Sequence, residues 1–232
     1  ARATSTTSAS TKPTVKDYIY DGLVAMWDAE YNVGLDLPHD PSSRVWVDLS
    51  GNGHDVTNLS YYSDIGWVDS NARRIDRLAY GIPIPILDSE VKTVSVCCKS
   101  IKCSRSIPII DFGNGSDNKR HISVYINKSC FICQRSVSYS PKIPDINNIK
   151  SFTIVFDGDK QGSYNRNLGW FGDEPVQEYV SEWNGGNTRF QIGTYSGYGS
   201  GLIHSIRVYN RELSQDEITY NWNIDKERFG LE

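Results

Sequence analysis

"LIHSIRVYNRELSQDEITYNWNIDKERF", residues 202–229, decides the fold because its periodicity changes once, near the middle. Residues 202–210 are rich in β-branched and aromatic side chains and read as a half-buried strand. From Leu213 onward the spacing becomes helical. Ser214 can cap the first turn while Glu217, three residues on, reaches back to close a capping box, and Leu213 can staple against Ile218. Ile218, Trp222 and Phe229 then recur near helical spacing, which predicts an apolar stripe. The stretch therefore predicts a final strand followed by one short helix, lying on the edge or end of a sheet structure.

Upstream, the pattern from Asp17 onward is strand and turn. "GLVAMWDA" is an apolar run, "TVSVCCKSI" places Val94, Val96 and Cys98 on one face, and "HISVYIN" alternates Ile122, Val124 and Ile126 with polar neighbours. "IPIIDFGNGSDN", "SCFICQ", "SFTIVFDGDKQG" and "RFQIGTY" continue in the same way, separated by Gly, Asn and Asp clusters that suit tight turns. Many short strands predict an antiparallel sandwich or barrel. The helical crossovers that a parallel sheet demands are not signalled, nor is any repeat of solenoid or propeller period.

The chain of 232 residues suits a single all-β domain with a tail. Hydrophobic residues make up 38% and charged residues 22%, with a formal net charge of −4. A packed core is feasible, and the charge balance argues against nucleic acid as a partner. No apolar run approaches a membrane span, and the chain opens on Ala1 without an apolar leader, as a soluble fragment or processed product would. Residues 1–16, "ARATSTTSASTKPTVK", are Ser/Thr-rich with only small apolar side chains and read as a flexible arm or linker.

"GLVAMWDA", "WVDLSGNGHD" and "GLIHSIRVYNRELSQDEI" together resemble the laminin G-like, concanavalin A-like jelly-roll domains of bacterial surface and phage virion proteins. The ending "YNWNIDKERFGL" is similar to phage-encoded members. The resemblance covers roughly residues 17–231. It implies an all-β fold over residues 17–232: a two-sheet antiparallel jelly-roll sandwich, concanavalin A-like, with one short C-terminal helix and with first and last strands close together. It also implies a place on a virion surface or an extracellular or cell surface, beside other virion or surface subunits.

Related glycoside hydrolases carry alternating carboxylates on one strand, aimed into one cleft. This chain has no such spacing. "GDEPVQEYVSE", with Asp173, Glu174, Glu178 and Glu182, is interrupted by Pro175 and reads as a solvated acidic loop. Nucleophile elbows, His-Glu-x-x-His and Walker-type loops do not occur, and His39, His54, His121 and His204 are scattered. A hydrolase is the third of the functional readings. The five cysteines, Cys97, Cys98, Cys103, Cys130 and Cys133, do not make a regular disulfide framework. Adjacent Cys97 and Cys98 should point to opposite sheet faces, so that at most one joins the core. Buried free thiols, of the kind made in a reducing cytoplasm, are favoured over zinc at the C-x-x-C; one disulfide, or Cys103 as a zinc partner, stays open.

"VWVDLSGNGHDVTNL", residues 45–59, begins like a calcium loop, with Asp48, Ser50 and Asn52 at alternating positions followed by Gly53. Leu59 then stands where a bidentate Glu is needed. As a turn the same residues are self-consistent, with Asn52-Gly53 at the reversal and Asp48 and Ser50 bonding local amides. No cofactor is required; calcium on Asp28, Asp48, Asn52 and Asp55 is the minority alternative.

Sugar recognition uses flat aromatic faces with amides and carboxylates nearby. "NLGWFGDE", "SEWNGGNTR" and "TYSGYGSG" place Trp170, Trp183, Tyr195 and Tyr198 in such surroundings, at loops or strand ends. Trp27, Trp46 and Trp222 sit in apolar patterns and read as core. The sequence thus points to a non-catalytic, lectin-like adhesion module that binds polysaccharide or glycan. The alternative is a structural capsid-decoration or fibre domain that contacts other subunits without sugar.

Overall fold

The computed structural model describes residues 12–57, 66–75, 82–87, 91–103, 107–112, 122–127, 130–135, 137–139, 150–157, 163–183, 189–192 and 199–231. Its strands are β1 (Leu23–Asp28), β2 (Trp67–Val68), β3 (Ala72–Ile75), β4 (Ile82–Leu87), β5 (Thr93–Cys103), β6 (Ile107–Phe112) and β7 (Ile122–Asn127). They continue with β8 (Cys130–Arg135), β9 (Val137–Tyr139), β10 (Lys150–Asp157), β11 (Ser163–Phe171), β12 (Glu174–Trp183), β13 (Arg189–Ile192) and β14 (Gly199–Tyr209). One helix, α1 (Gln215–Phe229), follows β14. No helix among the described residues is long and apolar enough to cross a membrane.

The strands form two sheets. One has eight strands in the order β12-β11-β10-β5-β14-β3-β2, with β1 also on β14; the other has six, in the order β4-β13-β6-β7-β8-β9. The pairings are antiparallel throughout, and β1 lies directly against β14, so the first and last strands are neighbours as expected. The sheets meet where β5 approaches β7 and β14 approaches β6.

Registers of β10, β5, β14 and β1 sort their side chains onto two faces. Phe152 and Ile154 align with Val96 and Val94, which align with Ile206 and Val208, which align with Trp27 and Ala25. That face is apolar, and all of these residues are buried. The opposite face carries Ser151 and Thr153, Ser95 and Cys97, Ser205 and Arg207, and Met26 and Asp28. It is buried as well. Helix α1 covers it, which places both Cys97 and Cys98 in the interior, contrary to the expectation that at most one is core. Alternation still aims the two thiols at opposite faces, but here each face has its own cover. Both are free thiols, and burial pushes each pKa above the ordinary value.

The helix starts as its sequence demands. Ser214 Oγ accepts the Glu217 amide at 3.3 Å, and the Glu217 carboxylate accepts the Ser214 amide at 2.9 Å. Gly230, left-handed at φ 65°, ends it. Leu213 and Ile218 join one buried cluster with Val15, Tyr18, Met26, Val155 and Tyr209. The buried face is not the expected apolar stripe, however: Ile218, Asn221, Ile224, Asp225 and Arg228 form it, while Trp222 and Phe229 are half-buried. The reason lies in the sheet, whose polar outer face supplies partners for polar helix residues. Trp222 instead covers Gly172, where a Cβ would sit 3.0 Å from the indole and where φ of 63° also favours glycine.

Folded structure begins before Asp17. Thr14 caps a single 3₁₀ turn over Val15–Asp17, and Val15 is completely buried. Residues 1–11 of the expected arm lie outside the described residues.

Candidate functional site

The turn at 48–55 is organised around the Asp48 carboxylate. Asp48 Oδ1 accepts the amides of Met26 and Ser50, each at 2.9 Å, while Oδ2 accepts the Ser50 hydroxyl at 2.8 Å and the His54 amide at 3.0 Å. Asp55 in turn accepts the Asp48 amide at 2.8 Å, and the Asn52 side chain donates to the Leu23 and Val24 carbonyls. Among the described residues the two arms share a single β-bridge, Trp46–Val56, and the rest of the stretch is a polar loop strapped to β1. Residues 58 and 59 lie outside the described residues. Asp28 faces α1, where both of its oxygens meet Arg228. The three aspartates of the calcium expectation do not gather: among the described residues, no three His, Cys, Asp or Glu side chains are placed to hold a metal ion. Asp48→Ala is expected to cost about 1–3 kcal/mol in urea unfolding, because the buried Met26 amide loses its acceptor. Calcium is expected to leave the wild-type thermal midpoint unchanged, since the Asp48 oxygens already accept protein donors.

Beneath α1 lies a second polar constellation, which the sequence reading missed. Arg207 on β14 makes a two-pronged pair with Asp225, both bonds 2.7 Å, and Asp225 also accepts the Tyr18 hydroxyl at 2.6 Å and the Ser151 hydroxyl at 2.7 Å. Arg228 clasps Asp28 at 2.8 and 3.0 Å and reaches Glu30 at 3.1 Å. The Arg207 guanidinium lies 4.0 Å from the centre of the Tyr18 ring. Burial pushes the Asp225 carboxyl up, but the charge and bonds of Arg207, with those of Tyr18 and Ser151, override it and hold the group below its ordinary value. Burial likewise pushes the Tyr18 phenol well above its ordinary value, and it outweighs Arg228 at Asp28, whose carboxyl is raised. Perturbed groups in a cleft would suggest acid–base chemistry. Here the Asp28 and Asp225 carboxylates are each held by several donors and enclosed, with Glu30 at the exposed margin, and the arrangement is a structural clasp. A signal was present in the sequence: Arg207 interrupts an apolar strand, and Asp225 and Arg228 share a helix face.

The tryptophans read as core behave so where they are enclosed. Trp27 is fully buried and donates its indole N–H to the His54 carbonyl at 3.0 Å; Trp46 donates to that of Asp28 at 2.9 Å. Trp67 donates to the Ser43 carbonyl at 2.9 Å and meets Trp46 edge to face.

Of the residues expected to bind sugar, Trp170 lies near the end of β11, opposite Pro175, and Trp183 ends β12, opposite Ser163. Seven residues of β11 separate these two registers, about 23 Å along the strand. The two tryptophans therefore belong to opposite ends of one hairpin and do not form a single platform. Tyr195 and Tyr198 lie outside the described residues. "GDEPVQEYVSE" is not a loop as expected: all but its first two residues fall in β12, the edge strand of the larger sheet. An edge strand tolerates Pro175, and the register with β11 skips Val176.

No family model matches the chain, and no curated protein matches it by sequence. Solved structures do resemble it. Trypanosoma rangeli sialidase in complex with sialic acid aligns over 96% of this chain and 35% of its own, with a TM-score of 0.62 and 12% identity. The binding domain of Paraclostridial Mosquitocidal Protein 1 aligns over 88% of this chain and 52% of its own, with a TM-score of 0.61 and 13% identity. A mutant of HCR/D aligns over 88% and 51%, with a TM-score of 0.58 and 15% identity. The chain thus spans about a third to a half of the length of these solved chains. At such identities the likeness shows the fold alone: an all-β domain of antiparallel sheets, closed by a C-terminal helix.

Proposed function

We propose that the chain is a non-catalytic carbohydrate-binding module of the concanavalin A-like jelly-roll class, displayed on a virion or cell surface. The observation that carries this reading is the placement of Trp170 and Trp183 at the two ends of the outermost hairpin of the larger sheet. Strand ends on a rigid scaffold are where binding residues collect, and an indole face matches the apolar face of a pyranose. Two aromatic positions about 23 Å apart suit a polymer better than a monosaccharide, since a chain engaging both gains avidity. The likeness to a sialidase solved with sialic acid and to the binding domain of Paraclostridial Mosquitocidal Protein 1 adds support. Binding is favoured over hydrolysis because Glu178 and Glu182 stand four residues apart on β12, about 13 Å, beyond the separation of a glycosidase carboxylate pair.

A structural subunit is the second reading, and one observation favours it. β12 is ten residues long and lies at the edge of its sheet, a surface that a neighbouring chain could extend. The deciding experiment is a glycan array probed with the folded chain and with Trp170→Ala and Trp183→Ala. Specific binding that falls about tenfold in each variant, equivalent to about 1.4 kcal/mol, supports the module. Silence across the array, with self-association that depends on β12, transfers the reading to the structural subunit.

A further inference from the structure

His204 occupies a junction in the larger sheet. Along one edge of β14, residues 201–203 pair with β3 and residues 205–209 with β1. His204 falls between the two, at the point where the register with β5 also slips. Its carbonyl accepts the Ala29 amide at 2.9 Å, just past β1. Its Nδ1 lies 2.8 Å from the Asn71 carbonyl in the β2–β3 turn, and its ring centre lies 5.4 Å from that of Phe229, the last residue of α1. One residue thus ties β1, the 67–75 hairpin and the helix end to the final strand.

A carbonyl can only accept, so Nδ1 carries the proton and Nε2 the lone pair. Nε2 is buried and has no hydrogen-bond partner among the described residues. A second proton there would meet no acceptor. It would also face like charge from Arg228 on α1 and Lys99 on β5. From β1, Asp28 offers little relief, because both of its oxygens are held by Arg228.

We propose that His204 is an acid-sensitive latch, whose protonation releases the 67–75 hairpin and the last turn of α1 from β14 while the rest of the sheet stays paired. Burial already holds the imidazole below its ordinary range, to about 4. A folded value below the unfolded one, about 6.5, means that the latch is fully engaged above that pH and weakens as pH falls through the window between them. Opening is therefore expected to become roughly twentyfold more frequent between about pH 7 and about pH 5.

Hydrogen exchange of the full chain tests this, read as protection factors for residues 66–75 and 226–231 at both pH values, in wild type and His204→Asn. Asparagine keeps an amide donor near the place of Nδ1 and cannot titrate. The latch requires a roughly twentyfold loss of protection in wild type and none in H204N. Equal losses in both proteins, or no loss in wild type, would overturn it. Should H204N not fold, an NMR titration of wild type decides: the His204 ring and the hairpin amides must share one midpoint near 4. A ring midpoint at the ordinary imidazole value, or hairpin amides moving at another pH, would overturn the latch equally. None of these outcomes depends on sugar binding.

Discussion

Asp225→Ala is expected to destabilise the protein by about 3–5 kcal/mol, the largest loss of any single polar substitution in the clasp. The wild-type carboxylate neutralises Arg207 and accepts the Tyr18 and Ser151 hydroxyls. Alanine leaves a guanidinium that is only 1% exposed without its counter-ion, and two hydroxyls without an acceptor. Urea unfolding of Asp225→Ala, Arg207→Met and the double variant separates the causes. If the charge pair governs the loss, the double variant recovers much of it, since replacing both partners by apolar groups removes the unpaired charge. A double variant as unstable as the sum of the singles would instead assign the loss to packing and to the stranded hydroxyls.

Arg228→Met has the second-largest expected effect, also about 3–5 kcal/mol, because Asp28 then remains buried without a cation. Its pH dependence identifies the cause. Burial raises the Asp28 carboxyl even with Arg228 in place, and removing that charge raises it further. A carboxyl with a folded pKa above its unfolded one binds its proton more readily when folded, so the deficit is complete above the folded value and shrinks as pH falls. The difference between Arg228→Met and its parent should therefore be smaller at about pH 5 than at about pH 8; because Arg228 also bears on His204, the comparison is made in a His204→Asn background, where that position does not titrate. Asp28→Asn in the Arg228→Met background should recover stability at the higher pH. A deficit independent of pH would mean that lost packing of the arginine stem, not the stranded charge, dominates.

Local chemistry made much of the fold legible. Alternation over Val94, Val96 and Cys98 places β5, and the Ser214–Glu217 box fixes the start of α1, because both depend on neighbours a few residues apart. The buried face of α1 was not legible. Asn221, Asp225 and Arg228 look like solvent-facing residues until partners from Ile19, Tyr18, Asp28 and Arg207 are placed against them, and the pairs at Tyr18 and Asp28 lie about two hundred residues away. Cys97 was misjudged for a related reason, since alternation reports which face a side chain takes and not whether that face is covered. At the candidate site the reading supplied aromatic types in turn-rich settings. It could not supply the register that sets Trp170 and Trp183 at opposite ends of a hairpin.

The clasp also decides how the domain would bear a load. Tyr18 touches Asp225 and Arg228, and the Ile19 amide is bonded to Asn221, so the segment before β1 and the helix after β14 are gripped against each other. Tension applied through the two flanking segments would converge on that grip before it reached the interior of either sheet. The buried ion pairs would then act as a mechanical fuse: while they hold, force passes from one flank to the other across a few ångströms, and the strands beyond bear none of it.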